Sequence, residues 1–478
     1  MSGYIDLFID GKWVKTAKYR DVIEKYTGVP FAAAAEADAR DVEWAVEAAA
    51  AAFARNELTP YRRYEILLET AERLAAMREE AALTIAKEAG KALKDALVEV
   101  DRACQTLRLS AEEAKRIHGE VIPIDAAPGS ENRLAFTLRQ PRGVVAAITP
   151  FNFPLNLVCH KIGPALAAGN TVVLKPASNT PLSAALLCRL LAESGLPNGH
   201  INLVIGSGKR VGEALLENEQ IAFYSFTGSV EVGKRIRQKI GLRPATLELG
   251  GNGATIICDD ADIDLAVEKC VRGAFTNAGQ VCIAVQRILI DRKVWDAFVP
   301  KFVERTKEIV VGDPTDPATD MGPLIDEREA KRVGQWVNDA LSAGGKIVYG
   351  GDRWVPPRFQ PTILVDVPKD HKLVRKEVFG PVVTLHPVDS LEEALEEANE
   401  TRYGLQGGVF TASLERAMTA AKRMRVGGVM INDTCAYRAD LMPYGGVKES
   451  GIGREGPRYA MEEMTVLKTV VLNLQGSE

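Results

Sequence analysis

Residues 144–154 read VVAAITPFNFP, and this stretch indicates what kind of sheet the chain builds. The five small or β-branched apolar residues Val144–Ile148 are typical of a strand that is buried on both faces. They run directly into a polar turn, and similar apolar runs alternate with helical segments from Pro141 onward. This alternation predicts an α/β fold in which helices cover the faces of a parallel sheet.

The strand candidates form two series, which predict two α/β lobes. A chain of 478 residues is too long for one hydrophobic core, because single cores stop growing at about 250–300 residues. The first series is Val144–Ile148, Thr171–Leu174, Ile201–Ile205, Ala222–Phe226, Ala245–Leu249 and Ala254–Cys258. The second series is Arg287–Ile290, Val382–Leu385, Gly408–Thr411 and Gly428–Ile431. Helical spacing over Asp41–Glu120, interrupted at Gly90, precedes them, and Gly350–Pro361 predicts a loop.

Composition and charge exclude several classes of protein. With 46% hydrophobic and 26% charged residues, the chain has an ordinary globular composition. Its formal charge of −5 and the absence of a Lys/Arg block do not fit a nucleic-acid-binding protein. Met1–Lys18 lacks a signal-peptide pattern, and no run of 18 apolar residues occurs. We therefore expect a cytoplasmic protein with neither a nucleic-acid nor a membrane partner.

The seven cysteines are scattered, without a C-x-x-C pair or a nearby histidine cluster, so we predict neither disulfides nor a metal site. A single cysteine is more often a small buried side chain than a reactive one. Cys282 follows the glycine-containing turn FTNAGQV at 275–281, and a thiol is a suitable nucleophile for a carbonyl group. No histidine lies near it in sequence, so a Cys/His protease arrangement is not indicated.

Polar turns follow the strands of the first series, where open α/β sheets bind ligands. They are Thr149–Pro154, Lys175–Ser178, Thr227–Ser229 and Glu248–Gly251. Ser229 begins a helical run whose free N–H groups would suit a pyrophosphate, although an ordinary helix cap is the alternative. The third glycine of 206–212 comes one residue late for a dinucleotide fingerprint. Taken alone, Glu248 would more often be a solvated or salt-bridged carboxylate than a catalytic one.

Taken together, these strings resemble the aldehyde dehydrogenase superfamily over essentially the whole chain, particularly its succinate-semialdehyde, lactaldehyde and phosphonoacetaldehyde dehydrogenase-like branch. The family's E-L-G-G, G-Q-x-C, E-x-F-G-P and C-terminal glycine-rich motifs correspond to Glu248–Gly251, Gly279–Cys282, Glu377–Pro381 and Pro443–Gly451. The resemblance implies an atypical Rossmann-like cofactor domain, an α/β catalytic domain and a small β oligomerisation arm.

The resemblance also implies domain boundaries. We expect the cofactor-binding domain at 1–118 and 140–247, the catalytic domain at 248–440, a glycine-rich return segment at 441–460, and the arm at 119–139 and 461–478. Within the arm, Val121–Ile124 and Leu134–Leu138 read as a hairpin and Thr465–Leu474 as a further strand. Exposed strand edges must be paired or covered, so a homodimer or homotetramer is expected.

The family's chemistry implies three catalytic residues here. Cys282 would attack the aldehyde to give a thiohemiacetal, whose hydride passes to the nicotinamide. Glu248 would activate the water that hydrolyses the resulting thioester. The Asn152 side chain and the backbone N–H of Cys282 would stabilise the oxyanion. Phe151 stands where the family usually has tryptophan, a change that keeps an aromatic wall.

The resemblance assigns cofactor contacts as well. Lys175 would bind the adenosine ribose, Glu377 the nicotinamide ribose, and Ser229 the pyrophosphate, while Phe379 would flank the nicotinamide. The remaining cofactor-binding candidates are Thr149, Pro150, Phe151, Gly208, Gly212, Thr227, Gly228, Leu249 and Gly250.

Ser178 bears on the choice between NAD and NADP. Members strict for NAD often carry glutamate at this position, where it repels a 2′-phosphate. A neutral serine removes that repulsion, and Lys209 or Arg210 could approach the phosphate, so we expect NADP to be accepted with a slight preference over NAD. The alternative is that Ser178 only caps the next helix.

The substrate pocket mapped from the family comprises Arg108, Leu157, His160, Ile283, Tyr437 and Arg438. Cationic groups at Arg108, His160 and Arg438 would suit a small aldehyde with an anionic or hydroxylated tail, because arginine binds carboxylate and phosphate in bidentate fashion. Alternatively, Arg108 belongs to a charged helix face and Arg438 pairs with Asp440.

Three rival functions remain open at this point. A CoA-acylating aldehyde dehydrogenase would release the thioester to CoA rather than to water, which the presence of Glu248 disfavours. A catalytically silent homologue would keep the fold without turnover. A cofactor-independent thiol hydrolase would cleave esters without oxidising aldehydes.

Overall fold

The computed structural model describes residues 3–55, 57–351 and 357–474. Its strands are β1 (Gly3–Ile5), β2 (Leu7–Ile9), β3 (Lys12–Val14), β4 (Tyr19–Ile23), β5 (Pro30–Ala35), β6 (Val121–Ile122), β7 (Arg133–Pro141), β8 (Val144–Ile148), β9 (Thr171–Lys175), β10 (Ile201–Leu203), β11 (Ile221–Thr227), β12 (Ala245–Glu248), β13 (Gly253–Ile257), β14 (Val285–Asp291), β15 (Lys346–Tyr349), β16 (Thr362–Val365), β17 (Val382–Val388), β18 (Gln406–Phe410), β19 (Gly428–Ile431), β20 (Gly451–Ile452) and β21 (Thr465–Asn473).

The α-helices alternate with these strands through most of the chain. They are α1 (Ala39–Arg55), α2 (Pro60–Ala76), α3 (Arg78–Ala89), α4 (Leu93–Ala114), α5 (Asn156–Ala168), α6 (Leu182–Glu193), α7 (Glu213–Glu217), α8 (Val230–Ile240), α9 (Ile263–Phe275), α10 (Trp295–Lys307), α11 (Glu327–Ser342), α12 (Lys372–Arg375), α13 (Leu391–Asn399), α14 (Leu414–Arg423) and α15 (Pro457–Glu463). Among the described residues, no helix is long and apolar enough to cross a membrane.

The first sheet has eight strands in the order β20-β12-β11-β8-β9-β10-β2-β3. Its five central strands run parallel, and every residue of β8 and β9 is buried, as the apolar runs predict. The predicted strands are confirmed here, although Ile201–Leu203 is two residues shorter than expected. The parallel arrangement places the polar turns after β8, β9, β11 and β12 at one edge of the sheet.

Five N-terminal strands, each of three to six residues, were not predicted from the sequence. β2 and β3 extend the first sheet, while β1, β5 and β4 form a separate three-stranded sheet. The predicted helical region begins at Ala39 and divides into four helices. Thr59 caps α2, and Gly90 ends α3 with a φ of 74°, a conformation that favours glycine.

The second sheet has seven strands in the order β15-β16-β17-β14-β13-β18-β19, all parallel except β15. The prediction that Ala254–Cys258 belongs to the first series was wrong. β13, over Gly253–Ile257, pairs with β14 and β18 and is an interior strand of the second sheet. The predicted loop Gly350–Pro361 is only partly visible, because 352–356 lie outside the described residues.

A third sheet, in the order β21-β7-β6, lies in the region predicted to be the arm. β21 pairs antiparallel with β7 along nine residues, from Thr465 opposite Pro141 to Asn473 opposite Arg133. The predicted hairpin is confirmed, but its first strand is only Val121–Ile122, because a 3₁₀ turn begins at Ile124.

Candidate active site

The loop before Cys282 is a tight turn that stops helix α9 and redirects the chain. Asn277 and Ala278 adopt left-handed φ values of 52° and 54°, and Gly279 follows with a φ of 68°. A Cβ atom at Gly279 would lie 2.1 Å from the carbonyl oxygen of Gly380, so a larger residue does not fit. The turn therefore holds Cys282 in place against the segment that carries Glu377 and Phe379.

Asn152 lies against this loop. Its Nδ2 donates to the carbonyl oxygen of Gln280 at 2.9 Å, and the Asn277 Nδ2 donates to the backbone oxygen of Asn152 at 3.3 Å. The Gln280 side chain is held in turn, because its Oε1 accepts from the Ile325 amide at 2.9 Å. An asparagine amide carries two N–H groups, so the side chain of Asn152 keeps a donor beyond the one used by Gln280.

Cys282 differs from the other six cysteines, which are buried, because its side chain is partly exposed. Its Sγ lies 2.9 Å from the hydroxyl of Tyr444. Desolvation by the surrounding protein raises the pKa of the Cys282 thiol to about 11, whereas the Tyr444 hydrogen bond and the charge of Arg438 act in the opposite direction. The one accessible thiol is thus the one that the sequence singles out.

Glu248 ends strand β12 and is 2% exposed. Neither of its carboxylate oxygens has a hydrogen-bond partner among the described residues. Burial, and secondarily the charge of Glu455, raise the pKa of Glu248 well above its usual range. Glu455 bonds Lys161 at 2.8 Å and Arg438 at 3.0 Å, and these cations lower its pKa to about 2 although burial alone would raise it. Glu455 therefore stays ionised while Glu248 readily holds a proton.

A cavity of about 390 Å³ reaches Cys282. Four of the six predicted pocket residues line it, namely Leu157, Ile283, Tyr437 and Arg438. The wall also contains charged side chains that the sequence analysis did not assign to the pocket, namely Lys91, Asp95, Glu99, Arg102, Lys269, Arg272 and Asp433.

The other two predicted pocket residues are placed differently. Arg108 is exposed and absent from the cavity wall, because the wall uses the face of α4 that carries Asp95, Glu99 and Arg102. At 3.6 residues per turn, Arg108 falls on the opposite side of that helix. His160 is fully buried behind the cavity, with Nε2 at 2.9 Å from Asp440. Burial lowers the pKa of His160, so this ring adds no positive charge.

The proposed pairing of Arg438 with Asp440 was also wrong. Arg438 pairs with Glu455, whereas Asp440 accepts two hydrogen bonds from Arg102, at 2.8 and 3.0 Å. Arg102 thus stands where Arg108 was expected.

Most charges in the cavity wall are matched. Lys91 pairs with Glu99, and Lys269 with Asp433. Arg272 is exposed and has no carboxylate oxygen within 4.0 Å among the described side chains, which makes it the unmatched cation of the wall. Asp95 is the remaining acid. Burial raises its pKa, whereas the charges of Lys91 and Arg272 act in the opposite direction, so Asp95 lies near Arg272 without forming a direct ion pair with it.

The predicted cofactor residues meet at the edge of the first sheet. Lys175 is 5% exposed, and its Nζ donates to the Pro176 carbonyl at 3.0 Å without a carboxylate partner in the described parts of the chain. Burial lowers the pKa of Lys175 to about 8. The hydroxyls of Thr149 and Thr227 are buried, again without a described hydrogen-bond partner. Buried polar groups normally have partners, so these three residues fit a site that receives a polar ligand.

Ser178 does not cap the following helix. Its hydroxyl donates to the Gly206 carbonyl at 2.8 Å, while Glu88 accepts from the amides of Leu182 and Ser183 at the start of α6. The capping alternative for Ser178 is therefore wrong.

The two glycine-containing turns lie along the same edge. Gly208 and Gly212 bound a π-helical turn, and the space around the Gly208 Cα is open. Ser229 caps α8, because its side chain accepts from the Val232 amide. A Cβ at Gly228 would lie 2.4 Å from the ring of Phe226, which explains the glycine at that position.

Glu377 and Phe379 approach from the second sheet. The Glu377 carboxylate accepts from the Gly251 amide at 3.0 Å and lies so close to Gly250 that a Cβ there would be 2.3 Å from it. Burial raises the pKa of Glu377 to about 7. Phe379 meets the ring of Phe151 edge-on, with centroids 5.9 Å apart.

Thr149, Pro150 and Leu249 also lie at this edge of the first sheet. The Thr149 amide donates to the Lys175 carbonyl at 3.1 Å, and Pro150 leads from there to Phe151. Leu249 packs against Gly233 of α8, where a Cβ would lie 2.5 Å from the leucine side chain. The first contact joins the ends of β8 and β9, and the second packs the residue after β12 against α8.

Several residues of the site escaped the sequence analysis. Tyr444 lies inside the glycine-rich motif, but nothing in that motif indicates a contact with Cys282. Lys161, Glu455 and Arg102 are separated in sequence by up to 353 residues, so their partners become visible only in the folded chain.

Comparison with known proteins identifies the family of the chain. A model of the aldehyde dehydrogenase family matches residues 13–470. The 3-sulfolactaldehyde dehydrogenase of Priestia aryabhattai is 51% identical over 468 residues, which cover 98% of each chain.

Two solved structures extend the comparison. An aldehyde dehydrogenase of Physcomitrella patens in complex with the reaction product succinate superimposes with a TM-score of 0.97, at 37% identity and full coverage of both chains. The glyceraldehyde-3-phosphate dehydrogenase of Methanocaldococcus jannaschii, complexed with NADP, gives 0.92 at 40% identity, covering 96% of this chain and 100% of that one. On the motifs, the fold and these matches, the chain belongs to the aldehyde dehydrogenase family.

Proposed function

We propose that the protein oxidises a small anionic or hydroxylated aldehyde to its carboxylic acid with NAD(P)⁺, using Cys282 as nucleophile and Glu248 as the base for hydrolysis. The observation that carries this proposal is the cavity that reaches the accessible Cys282 thiol and has the unmatched Arg272 in its wall. The buried and unpaired Glu248 supplies the second functional group.

In the first half of the reaction, the Cys282 thiolate attacks the aldehyde carbon and a C–S bond forms. The π electrons of the carbonyl move to its oxygen, which then carries a negative charge. The free N–H of the Asn152 amide and the Cys282 backbone N–H are the donors for this oxyanion. NAD(P)⁺, when bound, would supply the hydride acceptor, and loss of the hydride from the same carbon would leave Cys282 with its acyl group as a thioester. Lys175 and Glu377 would hold the two riboses of the cofactor.

In the second half, Glu248 takes a proton from water while the water oxygen attacks the thioester carbonyl. The C–S bond breaks, the acid leaves, and the sulfur departs as thiolate. A general base acts best when its pKa is near the working pH, and the raised pKa of Glu248 fits that requirement. The proton on Glu248 then passes to solvent.

The charge of the cavity supports an anionic substrate. Arginine binds carboxylate, phosphate and similar oxyanions through paired N–H groups, and Arg272 has no competing carboxylate within 4.0 Å in the described chain. The names of the compared proteins point the same way, because they involve a sulfonated hydroxyaldehyde, a dicarboxylate product and a phosphorylated hydroxyaldehyde.

Initial rates of NAD(P)⁺ reduction across a panel of aldehydes test this proposal. The panel should hold chain length constant and vary the tail from neutral to hydroxylated, carboxylated, sulfonated and phosphorylated. We expect kcat/KM to be highest for a tail that carries both a hydroxyl and a negative charge. Equal kcat/KM for neutral aldehydes would contradict the anionic substrate, and ester cleavage without aldehyde oxidation would contradict the dehydrogenase itself.

Arg272→Ala is predicted to lower kcat/KM for the preferred anionic aldehyde by roughly ten- to hundredfold, because a hydrogen bond to a charged group contributes about 1.5–3 kcal/mol. A neutral aldehyde of similar length should be affected much less. Arg108→Ala is the matched control, since Arg108 is also an exposed arginine but lies outside the cavity wall, on the other side of α4. An equal loss of kcat/KM for neutral and anionic aldehydes would mean that Arg272 does not bind the charged tail of the substrate.

Ser178→Glu is predicted to lower kcat/KM for NADP by about tenfold or more while that for NAD is largely kept. Two like charges about 4 Å apart repel by ~1 kcal/mol in water and by several times that near a protein surface. Ser178→Ala is the control, because it removes the hydrogen bond to the Gly206 carbonyl without adding charge. The measurement is the steady-state rate with each cofactor. An unchanged ratio of kcat/KM for NADP to kcat/KM for NAD would mean that Ser178 does not select the cofactor.

We further propose assembly into a homodimer or homotetramer through the arm. β21 is an edge strand of nine residues with exposed apolar side chains at Leu467, Val471 and Leu472, and such edges are usually paired or covered.

A cytoplasmic location is proposed because all seven cysteines are free, as is usual in a reducing compartment.

A further inference from the structure

Tyr444 makes a contact that the mechanism above does not use. Its side chain is 2% exposed, and its hydroxyl oxygen lies 2.9 Å from the Cys282 Sγ. The hydroxyl therefore touches the atom that attacks the aldehyde.

Glu455 holds this phenol in position through two sets of contacts. The Tyr444 amide donates to the Glu455 carbonyl at 3.0 Å, and the Glu455 amide donates back to the Tyr444 carbonyl at 2.7 Å. The Glu455 carboxylate also accepts from Arg438, whose guanidinium lies 3.7 Å from the centroid of the Tyr444 ring. One buried acid thus fixes both the backbone of Tyr444 and the cation over its ring.

The protonation states determine the direction of the hydrogen bond. While the sulfur is a thiol, either group can donate, but an ionised sulfur can only accept. Burial and the nearby Cys282 raise the pKa of Tyr444 well above its usual range, so the phenol keeps its proton. The positive charge of Arg438 over the ring also favours negative charge at the sulfur. The contact consequently stabilises the thiolate more than the thiol.

We propose that Tyr444 is a further catalytic residue, whose hydroxyl donates to the Cys282 thiolate before attack and again when the sulfur leaves the thioester. In both steps the sulfur carries the negative charge and the phenol neither gains nor loses its proton. The inference rests on the proposed role of Cys282 as nucleophile. It explains how a thiol surrounded by protein becomes reactive without a histidine partner.

Tyr444→Phe tests the inference by removing one oxygen atom. The rate of alkylation by iodoacetamide, in the absence of cofactor and aldehyde, reports the thiolate fraction of Cys282 because the other six cysteines are buried. We expect the inflection of the pH profile to move upward by about one unit or more, with roughly tenfold slower alkylation near neutral pH. At each pH below that inflection the variant should be slower by a similar factor, because the alkylation rate there is proportional to the thiolate fraction.

Two controls separate this effect from a change in folding. Tyr224→Phe also removes a buried phenolic hydroxyl, one that donates to the Leu215 carbonyl at 3.0 Å, and its alkylation profile should match the wild type. A fluorinated tyrosine placed at position 444 keeps the ring and is a stronger donor, so it should shift the inflection to lower pH. Cys282→Ala gives the background rate.

The outcome is independent of the substrate and of aldehyde oxidation. Superimposable profiles for the wild type and Tyr444→Phe would overturn the role of Tyr444 even if aldehydes are oxidised. A shifted profile in a protein that oxidises no aldehyde would contradict the proposed function and leave the Tyr444–Cys282 hydrogen bond intact.

Discussion

Replacing Cys282 with alanine is expected to lower kcat for aldehyde oxidation by at least about 10⁴-fold, because removal of a covalent nucleophile leaves only binding and oxyanion stabilisation. The other thiols are buried, and none can take over the attack without a local rearrangement. The measurement is steady-state reduction of NAD(P)⁺ with the best aldehyde of the panel.

Cys188→Ala is the matched control for this loss. Cys188 is a fully buried cysteine in α6, so its replacement removes a thiol from the core rather than from the cavity. We expect a modest loss of stability and unchanged kcat. The affinity of Cys282→Ala for the cofactor, measured by fluorescence titration, should be unchanged. Turnover of Cys282→Ala near the wild-type rate would mean that another residue is the nucleophile.

Glu248→Gln is expected to separate the two halves of the reaction. Hydride transfer precedes hydrolysis, so mixing the variant with aldehyde and cofactor should give a rapid burst of about one reduced cofactor per site. Steady-state turnover should then be about 10²- to 10⁴-fold slower, which is the usual contribution of a general base. Stopped-flow absorbance measures the burst, and intact-protein mass spectrometry should detect the acyl group on Cys282.

The pH dependence gives an independent check on Glu248. Its raised pKa means that the carboxyl becomes protonated, and unable to accept a proton from water, at a pH above that of an ordinary glutamate. For the wild type, kcat should therefore rise with pH through this raised pKa when hydrolysis limits turnover. The variant should lose that dependence. Steady-state turnover equal to the wild type, without an acyl intermediate, would exclude Glu248 as the base.

Local periodicity determined much of the fold. Val144–Ile148 and Gly428–Ile431 have the predicted bounds, because each is a short apolar run that a local window of the sequence displays. The N-terminal strands were missed because they are short and several have exposed residues, so their stability comes from pairing with distant strands. Ala254–Cys258 was assigned to the wrong sheet for a related reason, since its own sequence does not encode the strands that flank it.

The sequence by itself determined the family and the residues of its motifs, because Cys282, Glu248, Asn152, Lys175 and Glu377 stand in short strings whose spacing is local. Only the tertiary structure decided which charges face the cavity and which are neutralised. The choice of Arg102 over Arg108 depends on how α4 is rotated against its neighbours. The pairing of Arg438 with Glu455 and the approach of Tyr444 to Cys282 join segments far apart in sequence. Such contacts arise from packing, which depends on many weak interactions over the whole chain. No single motif therefore predicts them.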